Sequence, residues 1–255
     1  MPEYTNPAKE VVSMCSYFSS LASSENFSTY QVLAMNFSEK GTDSHKIIIN
    51  YQRRIDDLLC LVGSLDSDHI DEEVKADALR SIERFEGIFL FENLNSNYRS
   101  SVNRFLSAQN VSNVRALYSE LNRSNPISYL NESDIDQIRE NVSDDVIEKF
   151  LNSDLPPYVK YSLISGIENL KFSLDTYSIF GAGSILGASY ELAKDIKVAE
   201  GGASPDISDR LSKLSTGIVS ITRLIHAANK AYDNLKEIGQ GWSNIIEYID
   251  IPPST

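Results

Sequence analysis

The chain has 255 residues, 42% of them hydrophobic and 23% charged, which supplies a sizeable core and excludes a disordered polymer. Its 36 acidic residues outnumber 23 Lys and Arg, a formal charge of -13, which disfavours general binding to nucleic-acid backbones. The two cysteines, Cys15 and Cys60, are too few for a disulfide framework and are expected to be buried free thiols within helices.

Helical periodicity runs through the whole chain. Asn6-Pro7 predicts a cap and first turn, followed by Val11, Met14, Cys15, Phe18 and Leu21 at helical spacing. A short helix is expected over 30–37, ending before Lys40-Gly41. Asp43-Ser44 caps the next, whose stripe is Ile48, Tyr51, Ile55, Leu58, Leu59, Val62 and Leu65. Ser67-Asp68 opens another, with Val74, Ala78, Ile82, Phe85 and Phe89 on one face. The acidic run Asp71-Glu72-Glu73 in its first turn complements the helix dipole.

After a loop at 93–97 come two shorter helices, through Val102 to Leu106 and through Val111 to Leu121, until Asn125-Pro126 breaks the pattern. Ser133 is the expected cap of a helix containing Ile135, Ile138 and Val142. Ser143-Asp144-Asp145 then precedes Val146, Ile147, Phe150 and Leu151, and the periodicity fits one helix or two. Leu155-Pro156-Pro157 starts a helix with the stripe Val159, Leu163, Ile167, Leu170 and Leu174. Phe180-Gly181 ends that segment, another helix is expected over 182–198, and Gly201-Gly202 is the clearest linker.

Ser204-Pro205 opens the last long helix. Ile207, Leu211, Leu214, Ile218, Ile221, Ile225, Ala228, Tyr232 and Leu235 step by four and three, a heptad seam. Flanking Val219 and Leu224 widen the apolar face, which suits the spine of an internal bundle, with self-association through a coiled coil as the alternative. Beyond Gly239 and Gly241, Trp242, Ile245, Ile246 and Ile249 form a short amphipathic element and are the candidate partner-binding residues.

The expected fold is therefore all-α: a multi-helix bundle of eight to ten helices, with a helical bundle over 1–200 and the long amphipathic helix, its spine, and the Trp-containing element over 201–255. No catalytic, cofactor-binding or metal residues are expected. His45, His69 and His226 are isolated, no Gly-x-Ser-x-Gly elbow occurs, and Gly181-Ala182-Gly183 lacks the strand and spacing of a phosphate loop. Asp206, Asp209 and Lys213 are read as first-turn charges rather than a nuclease set. The N-terminus shows no basic region before an apolar run, so a cytoplasmic location is expected.

Leu155-Pro156-Pro157, the stripe from Val159 to Leu174, and Thr176-Tyr177-Ser178-Ile179-Phe180-Gly181 resemble a layout found in uncharacterised helical proteins of bacteria and their mobile elements. The resemblance implies a prokaryotic or phage source and a toxin-neutralising or defence-related role. Together these readings point to a non-enzymatic protein of the immunity, antitoxin or defence-accessory kind. It would bind a protein partner, a basic one being favoured by charge, or a second copy of itself. Two alternatives remain: a membrane-acting effector that inserts the apolar segment 176–190, and an enzyme with a dispersed helical site.

Overall fold

The computed structural model describes residues 4–21, 26–38, 42–66, 70–201 and 204–226. The fold is all-α, with two strands of two residues each among the described residues. The chain divides into two compact units, Thr5–Pro126 and Ile127 onward, the latter including Tyr4.

In the N-terminal unit, α1 (Pro7–Ser20) is capped by Asn6, whose side chain accepts from the Lys9 amide at 2.9 Å. The same side chain donates to Asn122 at 2.8 Å, tying the start of α1 to α7 (Tyr118–Ser124). Ser28 and Gln31 form a reciprocal capping box on α2 (Thr29–Asn36). Asp43 caps α3 (Ser44–Ser64). α4 (Glu72–Glu86) takes Asp71 as its cap, so Asp71 binds the Glu73 and Val74 amides instead of sitting inside the first turn. The expected opening at 67–68 lies outside the described residues. Short 3₁₀ turns at Gly87–Phe89 and Phe91–Asn93 lead into α5 (Tyr98–Phe105) and α6 (Ala108–Arg115). Gly87 is needed because the Phe105 ring occupies the space a β-carbon would take.

An aromatic hub fills this unit. The Phe18 ring meets Tyr51 at 5.3 Å and Phe89 at 5.0 Å, and Tyr51 meets Phe89 at 4.7 Å, all edge-on. Both buried phenols are satisfied: Tyr51 donates to the Phe85 carbonyl at 2.9 Å and Tyr98 to that of Phe18. Cys15 is buried beside Tyr51, and burial pushes its thiol up to about 12. Cys60, by contrast, is exposed. The buried positions of α3 are 44, 47, 51, 54, 55, 58 and 62, and residue 60 falls off that stripe. Ile47, not Ile48, is the fully buried residue at its start.

In the C-terminal unit, β1 (Tyr4–Thr5) pairs with β2 (Ile127–Ser128), which brings Tyr4 here. Asn131, not Ser133, caps α8 (Glu132–Asn141), because Asp134 returns a bond to the Asn131 amide and closes a capping box. The chain turns at Val142 and α9 (Asp144–Leu151) starts afresh, so the ambiguous segment is two helices. α10 (Pro157–Asp175), α11 (Tyr177–Phe180), α12 (Ala182–Glu200) and α13 (Pro205–His226) complete the described residues. Gly181 between α11 and α12 has φ 74°, a left-handed conformation that favours glycine.

The core here is mostly aliphatic, with Phe150 and Tyr190 among its members. Leu163, Ile167 and Leu170 of α10, Ile185 and Leu192 of α12, and Leu211, Ile218 and Ile225 of α13 are buried in one cluster. Each such side chain contributes about 1.5–3 kcal/mol of burial. α10 and α12 approach closely at Gly166, where a β-carbon would stand 2.9 Å from Leu192. All six seam residues from Ile207 to Ile225 are buried inside this unit, and α13 passes Gly217 without a break. The further seam positions Ala228, Tyr232 and Leu235 lie outside the described residues.

Candidate protein-binding surface

Trp242, Ile245, Ile246 and Ile249, the partner-binding residues expected from the sequence, lie outside the described residues. The other sequence candidates resolve into structural roles. Asp206 pairs with Arg210 at 2.8 Å and Asp209 with Lys213 at 2.7 Å, one turn apart along the outer face of α13. His45 is exposed in the first turn of α3. Among the described residues no three His, Cys, Asp or Glu side chains converge to hold a metal ion. Within 176–190, Phe180, Ile185, Leu186 and Tyr190 are buried in the core, and no described helix is long and apolar enough to cross a membrane.

The feature that sequence reasoning missed lies at one end of the C-terminal unit. α10 and α12 run antiparallel, pinned where Ser162 donates to Asp195 at 2.5 Å. Tyr158 and Tyr161 lie near the start of α10, and Val198 near the end of α12. Their exposures are 73% for Tyr158, 78% for Tyr161 and 66% for Val198. Leu151, the last residue of α9, is 55% exposed, and Lys160 caps its carbonyl at 3.1 Å. A signal for the two tyrosines was present. They fall off the stripe Val159, Leu163 and Ile167, so a helix places two aromatic rings on its outer side.

The same end carries a cleft of about 340 Å³ between α9 and α13. Asp145, Glu148 and Lys149 line one wall, Asp206, Ile207 and Arg210 the other, and Asn152 and Ser153 its floor. Ser204 donates to Asp154 at 3.3 Å, which holds the α9–α10 and α12–α13 links together beside it. Arg210 is neutralised by Asp206. Asp145 and Glu148 lie three residues apart on one face of α9 and have no ion-pair partner among the described residues.

The N-terminal unit differs. Its most exposed large apolar side chain, Phe91 at 89%, sits on a 3₁₀ turn next to Leu90. Its charged interior feature is structural: Arg54 reaches Glu10 at 2.9 Å with both side chains buried, and Asp57 at 3.1 Å toward the surface.

No protein-family model matches the chain, and neither curated proteins nor solved structures show a significant similarity to it.

Proposed function

We propose that the chain is a non-enzymatic interaction protein of the immunity, antitoxin or defence-accessory kind, a multi-helix bundle that binds a protein partner through the surface of its C-terminal unit. The observation that carries this reading is the pair of tyrosines, Tyr158 and Tyr161, presented outward by a helix whose opposite side is locked in the core. Isolated exposed apolar residues are ordinary, but aromatic rings grouped at one rigid place are typical of interface anchors. Tyrosine suits the role because it presents a large apolar area with few rotors and a polar tip.

Burial of Ile207 to Ile225 within the unit bears on how such binding works. A coiled coil using that part of the seam would have to strip α13 from α12 first. Binding through the outer faces of α10 and α12 costs no such rearrangement.

A photo-crosslinking residue at position 161, in the full chain and in its native cell, tests the reading. A discrete heavier species containing a second protein, absent when the probe sits at the exposed position 76, is the expected result. A chain that stays free at both positions would contradict it.

A further inference from the structure

We propose that the N-terminal unit pairs with a second copy of the chain through an uncharged apolar surface built by α2 and the 3₁₀ turn at Phe91–Asn93. This surface is separate from the tyrosines of the C-terminal unit, and the pairing goes beyond the partner binding proposed above.

The backbone fastens the two pieces together. The first-turn amides of α2, at Thr29 and Tyr30, have no acceptor within their own helix. They donate instead to the carbonyls of Ser96 at 3.0 Å and Leu94 at 2.9 Å. Ser28 bridges Asn97, and the Tyr98 amide donates to the Phe27 carbonyl at 2.9 Å. The turn is closed where the Asn93 side chain donates to the Gly87 carbonyl at 2.7 Å and the Leu94 amide to that of Phe91 at 3.3 Å. On this frame α2 buries Thr29, Val32 and Leu33 and leaves Tyr30, Gln31 and Met35 exposed. Leu90 and Phe91 are exposed at the turn, Phe91 almost wholly.

Charge selects the occupant. The chain carries a formal charge of -13, so two copies repel over most of their surface. Yet neither 26–38 nor 93–98 contains an Asp, Glu, Lys or Arg. The charged residues that border these segments at the turn and on α5 are Glu92 and Arg99, both exposed and opposite in sign. A two-fold contact sets a patch against itself, so a charged patch meets its own sign, whereas an uncharged apolar one is self-complementary. Depletion of charge with enrichment in Tyr, Phe and Met is also the composition of interface cores. A basic partner gains little here, where Glu92 is the carboxylate on offer. The small number of exposed apolar residues, beside roughly 20–30 residues a side in a standard interface, suits a reversible dimer.

Sedimentation velocity of the full chain over a wide range of concentration tests this. The expected result is a reversible shift toward twice the mass on concentration, with tighter pairing as salt screens the repulsion. Tyr30→Ser with Phe91→Ser should weaken pairing about tenfold. Tyr158→Ser with Tyr161→Ser should leave it within about twofold. Met35→Glu and Met35→Lys should each weaken self-association, and an equal mixture of the two should pair more tightly than either alone. All these positions are exposed, and circular dichroism checks that the variants remain folded.

A chain that sediments as a single copy at every concentration would overturn the inference. So would a dimer indifferent to Tyr30→Ser with Phe91→Ser, or one dissolved by the changes at 158 and 161. A mixture of the Met35 variants no tighter than each alone would show that the surface does not face itself, and would also overturn it.

Discussion

The two units reach stability by different chemistry. The N-terminal unit gathers Phe18, Tyr51 and Phe89 into an edge-on hub and buries polar groups with it: two phenols, a thiol, and the Arg54–Glu10 pair. The C-terminal unit buries Leu and Ile stripes and keeps its tyrosines 158 and 161 outside. An aromatic ring used internally fixes a core through directional hydrogen bonds. The same ring outside, on a scaffold whose core is mostly aliphatic, is free to meet a partner.

The sharpest way to break this comparison is to remove one member of the buried pair. Glu10→Ala leaves the Arg54 guanidinium, whose Nε already lacks a partner, with only the surface-facing Asp57. Urea denaturation should show a loss of about 3–5 kcal/mol, and replacing both residues (Glu10→Leu, Arg54→Met) should recover most of it. Full loss in the double variant would mean that the pair supplies net stability, not specificity. In the other unit, Gly166→Leu tests close aliphatic contact. It drives a side chain into Leu192 and should cost about 1–3 kcal/mol in the same measurement, whereas an unchanged midpoint would show that α10 and α12 can separate there freely.

The smallest effect concerns pH. Burial and the neighbouring Asp56 raise the Glu86 carboxyl above its ordinary value. The folded state then holds this proton more tightly than the unfolded state. Stability from this site is present at low pH and is lost as pH rises from the ordinary carboxyl value through the raised folded one. Glu86→Gln should therefore flatten that decline and leave the variant the more stable form at pH 7. A wild type that gains stability relative to Glu86→Gln across that window would contradict the assignment.

Much of the helix punctuation was legible in the sequence because it rests on local chemistry. Asn6-Pro7, Asp43 and Pro156-Pro157 start helices where their side chains and rings dictate. Where two local solutions competed, longer context decided. Asn131 and Ser133 are both eligible caps, and the reciprocal bond from Asp134 selects Asn131. Three successive isoleucines left the phase of α3 open by one residue, and packing settled it on Ile47. The binding surface was legible only in part. Tyr158 and Tyr161 lie visibly off their stripe, but the cleft between α9 and α13 depends on two helices meeting across more than 50 residues of chain.

The central claim is that the four-three seam of α13 is satisfied within its own unit, leaving the α10–α12 end as the face for partners. Amide hydrogen exchange across 207–225, followed by mass spectrometry over a wide range of protein concentration, tests this most directly. The account predicts that α13 exchanges as slowly as α10 and α12 at every concentration, down to that of an isolated chain. Rapid exchange of α13 on dilution, slowed only when chains are concentrated, would show that the seam closes between molecules and would contradict it.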